Sequence, residues 1–116
     1  MSYNEKLANK IRIALSLLPK VKEKKMFGGV AFMVDNKMCI TVGADRIMCR
    51  ISPALHEEAI KRKGCRTVIM RGREYKGYVH VNEDSIKNKK DFDYWIILAL
   101  DYNKIAKDIK KIIRDS

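Results

Sequence analysis

A chain of 116 residues with 47% hydrophobic and 34% charged positions has the size and mix of one globular domain, too short for two cores and too apolar for disorder. The net charge of +11, from 25 Lys plus Arg against 14 Asp plus Glu, favours polyanionic partners, although 17 of those bases are Lys, a bias that AT-rich coding also produces. Three scattered cysteines, two isolated histidines and the lack of any long apolar run exclude a disulfide scaffold, a four-ligand zinc site and a membrane span, and leave a reducing cytoplasm as the expected setting.

The N-terminus, Met1-Ser2-Tyr3-Asn4-Glu5-Lys6, lacks the basic start and apolar run of a signal peptide. Leu7, Ile11, Leu15 and Leu18 step by four, four and three, which predicts a helix over residues 4–18, capped by Asn4 and stopped by Pro19. Ile13 and Leu17 are expected to widen its apolar stripe. Val21 to Phe27 reads as a lysine-rich extended segment interrupted by Gly28-Gly29. Strands are predicted at Val30–Val34, Met38–Gly43 and Arg46–Ser52, with turns at Asp35-Asn36-Lys37 and Ala44-Asp45.

The second of these hairpins carries an internal check. A two-residue Ala44-Asp45 loop sets Val42 opposite Ile47, Ile40 opposite Cys49 and Met38 opposite Ile51, six apolar side chains on one face. The same register puts Cys39 and Cys49 on opposite faces. In the first hairpin a three-residue loop buries Val30, Phe32 and Val34, whereas a two-residue loop turns Ala31 and Met33 inward; the former buries more apolar area.

Ser52-Pro53 opens a short helix to about Lys63, with acids early and bases late, ended by Gly64. Thr67–Met70 and Tyr78–Val81 read as strands, joined by a basic connection, Arg71 to Gly77. A last helix starts at Asp91 or Asp93 and runs to about Arg114, with Trp95, Leu98, Tyr102, Ile105, Ile109 and Ile112 as its seam. The fold class is therefore α+β: an antiparallel sheet of about five strands flanked by an N-terminal helix, a short inserted helix and a long C-terminal helix, all in one domain over residues 1–116.

The segment Lys24-Lys25-Met26-Phe27-Gly28-Gly29-Val30-Ala31-Phe32 resembles the signature of TfoX N-terminal domains. The likeness continues through Asp35-Asn36-Lys37-Met38-Cys39, Asp45-Arg46-Ile47-Met48-Cys49-Arg50 and Lys76-Gly77-Tyr78-Val79 to Trp95. It implies an antiparallel sheet flanked by helices and a regulatory role, competence regulators being among the members. It supplies no catalytic residues.

Two stretches bear on binding. Gly28-Gly29 lacks the spacing of a phosphate-binding loop and reads first as a tight turn, with Met26 and Phe27 structural beside it. Seven bases against the single acid Glu74 lie between positions 61 and 76. Within that run Arg66, Arg71, Arg73 and Lys76, interleaved with Tyr75 and Tyr78, form the strongest candidate nucleic-acid contact, with Lys24 and Lys25 as further bases. A solvated loop is the plain alternative. No nucleophile–base pair, metal set or cofactor motif emerges, so a non-enzymatic module is expected. Its partner is nucleic acid, or alternatively a regulatory protein met through the outer face of the sheet or the C-terminal helix, or a second copy if the last helix outruns the sheet; no membrane is expected.

Overall fold

The computed structural model describes residues 3–26 and 28–106. Helix α1 (Glu5–Ala14) is followed by strands β1 (Val21–Met26), β2 (Gly29–Val34), β3 (Lys37–Val42) and β4 (Arg46–Arg50). A 3-10 turn (Pro53–Leu55) leads into α2 (His56–Ala59), then come β5 (Cys65–Met70) and β6 (Arg73–Asn82). A second 3-10 turn (Glu83–Ile86) precedes α3 (Lys89–Ile105). The six strands form one antiparallel sheet in the order β1-β2-β3-β4-β6-β5. The lysine-rich segment expected only to be extended is the sixth strand, pairing along its length with β2.

Helix α1 begins where Asn4 accepts a hydrogen bond from the Leu7 amide at 3.0 Å. It ends at Ala14 rather than Leu18, since Pro19 drives the residue before it away from helical backbone. Leu7, Ile11 and Leu15 are buried, but Ile13 and Leu17 are 72% and 97% exposed. These two project away from the Leu7–Ile11–Leu15 line and do not widen its stripe.

Helices α1 and α3 share one side of the sheet. Their buried residues join Val30, Phe32, Val34, Ile40, Val42, Ile47, Cys49, Ile51, Val79 and Val81 in a single core. The β3–β4 register is the expected one, with Ile40 opposite Cys49 and Val42 opposite Ile47. The β2–β3 hairpin reaches the expected facing by another route. Asp35 and Asn36 alone form the turn, both with positive φ, 53° and 63°, and Val34 pairs with Lys37. A register shift beside Phe32 then inserts Cys39 as an extra residue in β3, so Phe32 still meets Ile40. The bulge puts Cys39 into the same core as Cys49, correcting the opposite-face expectation, and pairs Met38 with Met33 instead of with the buried row. All three cysteines are free.

Helix α3 starts two residues earlier than the first of the two expected aspartates, because Asn88 caps it by accepting from the Asp91 amide at 2.8 Å. Its buried line is Phe92, Trp95, Ile96, Ala99 and Asn103. The seam is thus rotated from the expected one: Leu98 and Tyr102 are half-buried and Ile105 is 71% exposed. Ala99 permits close approach to the sheet, and Asn103 donates to the Val34 carbonyl at 3.2 Å. The helix ends at Ile105, short of Arg114. Ala106 is extended, and Lys37 Nζ donates to the Asn103 and Ala106 carbonyls at 2.6 and 3.2 Å, a cation on the negative helix end. Ile109 and Ile112 of the expected seam lie outside the described residues. Among those described, no helix is long and apolar enough to cross a membrane.

Candidate nucleic-acid interface

Strand alternation sorts the charged side chains between the two faces of the sheet. On the helix side lies Glu23, paired across strands with Phe32 and held by Arg12 of α1 through two hydrogen bonds of 2.7 Å. The opposite, outer face carries Lys22 and Lys24 of β1, Arg46 of β4, and Arg66 of β5. One cross-strand row runs Lys24, Ala31, Thr41, Met48, His80, Arg66. Its middle residues Ala31, Thr41 and Met48 are buried, and the bases at its two ends are exposed. The strands contain only two carboxylates, Glu23 and Glu74. Glu23 faces the helices. Glu74 pairs with Ile69 and alternates away from Arg73 and Tyr75. Among the described residues, the outer face therefore presents bases and no strand carboxylate.

The stretch from Arg71 to Gly77, expected as a loop, is mostly strand. Only Arg71 and Gly72 form the turn, both in the left-handed region with φ of 52° and 75°, and β6 starts at Arg73. Val68 pairs with Tyr75, Ile69 with Glu74, and Met70 with Arg73. A register shift after Thr67 packs Lys76, Gly77 and Tyr78 into a bulge at the base of this hairpin.

Buried His56 holds the bulge. Its Nδ1 accepts a hydrogen bond from the Gly77 amide at 2.9 Å, which leaves Nε2 to donate to Thr67 Oγ1 at 2.8 Å. Gly77 has φ +89°, and a Cβ there would stand 3.0 Å from the Ile51 carbonyl oxygen, so glycine is required. The bulge places Tyr78 edge-on to Tyr75, with centroids 6.3 Å apart. The Arg50 guanidinium lies 5.7 Å from the Tyr78 ring and 5.5 Å from that of Tyr102 on α3.

At the far end of the row, Arg66 donates to Asn82 Oδ1 at 2.7 Å. His80, between Arg46 and Arg66, has its pKa lowered to about 4, by burial first and then by the two arginines. Its Nδ1, like Thr41 Oγ1 in the same row, is buried without a hydrogen-bond partner among the described residues. The cysteines are shifted away from nucleophile chemistry. Burial pushes the Cys39 thiol up to about 12 and that of Cys65 to about 11, and drives fully buried Cys49 well above its ordinary value.

The residues singled out from sequence thus separate. Lys24 and Arg66 share the outer face, at opposite edges of the sheet. Arg71, Arg73 and Tyr75 sit on the β5–β6 hairpin. Lys76 lies 3.7 Å from Glu57 of α2, and Lys25, paired with Val30, sits on the helix side, so neither joins the outer face. Met26 and Gly29 pair at the β1–β2 turn, with Gly28 at φ +71°. A Cβ on Gly29 would sit 2.1 Å from the Val42 carbonyl oxygen, so backbone packing fixes the glycine at that position. Phe27 lies outside the described residues. Sequence reasoning missed Lys22, Arg46 and the tether at His56. For the first two the signal was present, as even-numbered positions of β1 and β4.

Among curated proteins and solved structures, no match was found. The family model described as the TfoX N-terminal domain matches residues 14–102, which span the sheet and most of α3, and the chain belongs to that family.

Proposed function

We propose that this TfoX N-terminal domain protein is a non-enzymatic regulatory module that binds nucleic acid through the outer face of its sheet. Family membership supports a regulatory domain of this type. The observation that carries the ligand is the sorting of charge: Lys22, Lys24, Arg46 and Arg66 on one face, with both strand carboxylates turned away. Six strands at ~4.8 Å spacing make that face about 24 Å across, enough to meet several phosphates of a polyanion. Tyr75 and Tyr78 add aromatic surface at one margin. A binding role in the cytoplasm agrees with the three free thiols.

The test is the salt dependence of binding to a mixed-sequence oligonucleotide. Log affinity is expected to fall linearly with log salt. Neutralising Lys24, Arg46 and Arg66 to Gln is expected to reduce the slope by about one unit for each phosphate that is no longer neutralised. No binding at low salt refutes the reading.

A second reading, an adaptor for a protein partner, draws on Ile13 at the end of α1 and Leu17 in the segment after it, both exposed. It requires a partner whose capture is lost in Leu17→Gln and retained when the outer face is neutralised. A second copy as that partner would show as a dimeric mass in light scattering.

A further inference from the structure

The β5–β6 hairpin outruns the sheet. The last backbone bond tying β6 to the β4 segment is Ile51 N–H to the Gly77 carbonyl, at 2.7 Å. Beyond it the rungs Val68–Tyr75, Ile69–Glu74 and Met70–Arg73 pair, among the described residues, only with each other, and the Arg71-Gly72 turn closes them. Val68 is buried, so the projecting part is the two outer rungs with the Arg71-Gly72 turn, an arm about 10 Å long at ~3.3 Å per residue.

Its two sides differ. Arg66, Val68 and Met70 alternate along β5, so Met70 and its partner Arg73 continue the outer face of the sheet, while Ile69 and Glu74 lie on the other side. Met70 is 39% exposed, and Arg71 and Arg73 are exposed at the tip. The side that continues the basic face therefore ends in two arginines around an accessible apolar side chain. The base of the arm is fixed by the His56 tether.

We infer that this arm is a groove-reading element for B-form duplex DNA. It enters the major groove with Met70, Arg71 and Arg73 toward the base edges, while Arg46 and Arg66 hold the neighbouring phosphates. The inference rests on the nucleic-acid reading above. A two-stranded β-ribbon fits the major groove, about 12 Å wide and 8.5 Å deep, and an arm of about 10 Å reaches its floor. Arginine forks match guanine O6 and N7, and an apolar side chain matches the thymine methyl. The major groove of A-form RNA is deep and too narrow for protein side chains to read, so the same arm is excluded from duplex RNA.

The experiment uses fluorescence anisotropy of the full chain with a 20-bp DNA duplex, the RNA duplex of the same sequence, and the single DNA strand, at one low salt concentration. Two variants are compared, Met70→Ser/Arg71→Gln/Arg73→Gln on the arm and Arg46→Gln/Arg66→Gln on the face. Retention of the Gly77 amide resonance confirms that the arm variant keeps its base. Wild-type protein is expected to prefer duplex DNA over duplex RNA by about tenfold or more. The arm variant is expected to lose that preference, weakening more on duplex DNA than on duplex RNA or the single strand, and the face variant to weaken to a similar degree on all three ligands. Equal affinity for the two duplexes, or an arm variant that matches wild type on duplex DNA, overturns the role of the arm and leaves the nucleic-acid reading standing. Absence of binding to all three removes both.

Discussion

Replacing His56 with Ala tests whether one buried side chain fixes the bulge that launches the arm. The imidazole is 2% exposed and bridges two elements, accepting from the Gly77 amide at 2.9 Å and donating to Thr67 Oγ1 at 2.8 Å. Alanine leaves the Gly77 N–H without a partner in a buried place, at a cost of about 1–3 kcal/mol. The cavity left by the ring adds about 1 kcal/mol. The expected loss is therefore about 2–4 kcal/mol, which at a urea m-value of about 1.5 kcal/mol/M lowers the midpoint by about 1–3 M with m unchanged. Thr67→Val, which leaves only the His56 Nε2–H unpaired and creates no cavity, is expected to cost about 1–2 kcal/mol, and the double variant less than the sum. Hydrogen exchange at the Gly77 amide provides an independent readout, with protection falling in His56→Ala. A midpoint shift below about 0.5 M together with wild-type exchange at Gly77 would refute the argument.

Two further outcomes follow from the glycines and from His80. Gly29→Ala is expected to abolish cooperative folding, since its Cβ would overlap the Val42 carbonyl oxygen. Gly28→Ala meets open space and is strained only by φ +71°, so it costs about 1 kcal/mol; thermal melts of both variants check the contrast. His80 is held neutral in the fold, with a pKa of about 4 against 6.5 for the free side chain. The unfolded chain then binds the extra proton between those values, so this residue's contribution is complete above about pH 6.5 and is lost as pH falls toward 4. Melting temperature against pH is expected to flatten in that window for His80→Gln. Proton NMR of the imidazole checks the midpoint directly.

Much of the fold was legible because alternation in a half-buried sheet repeats every two residues. The match of Ile40 with Cys49 and Val42 with Ile47 follows from that period alone. What escaped was set by single residues or by distant contacts. One extra residue at Cys39 leaves the alternation on either side intact, so the three-residue turn and the bulged two-residue turn bury the same side chains of β2. The Arg71-Gly72 turn was hidden by charge: a dense basic run suggests a solvated loop, and an arginine in the left-handed region is not a usual hairpin signal. Helix α3 rotated because Ala99 and Asn103 face the sheet, a preference set by the Val34 carbonyl and not by hydrophobicity. The basic outer face was readable only once register was known, because Lys22 and Lys24 differ from Lys25 solely in parity.

The two rims of the sheet are unequal. Among the described residues, strand β1 offers an unpaired backbone edge between Lys22, Lys24 and Lys25, and two such edges brought together would set like charges side by side. Strand β5 has the single base Arg66 and the uncharged tip side chains Ile69 and Met70. Strand-to-strand aggregation is thereby discouraged at the first rim and tolerated at the second. A preparation that clumps on concentration would do so through β5, and an added polyanion that occupies the arm would keep it dispersed.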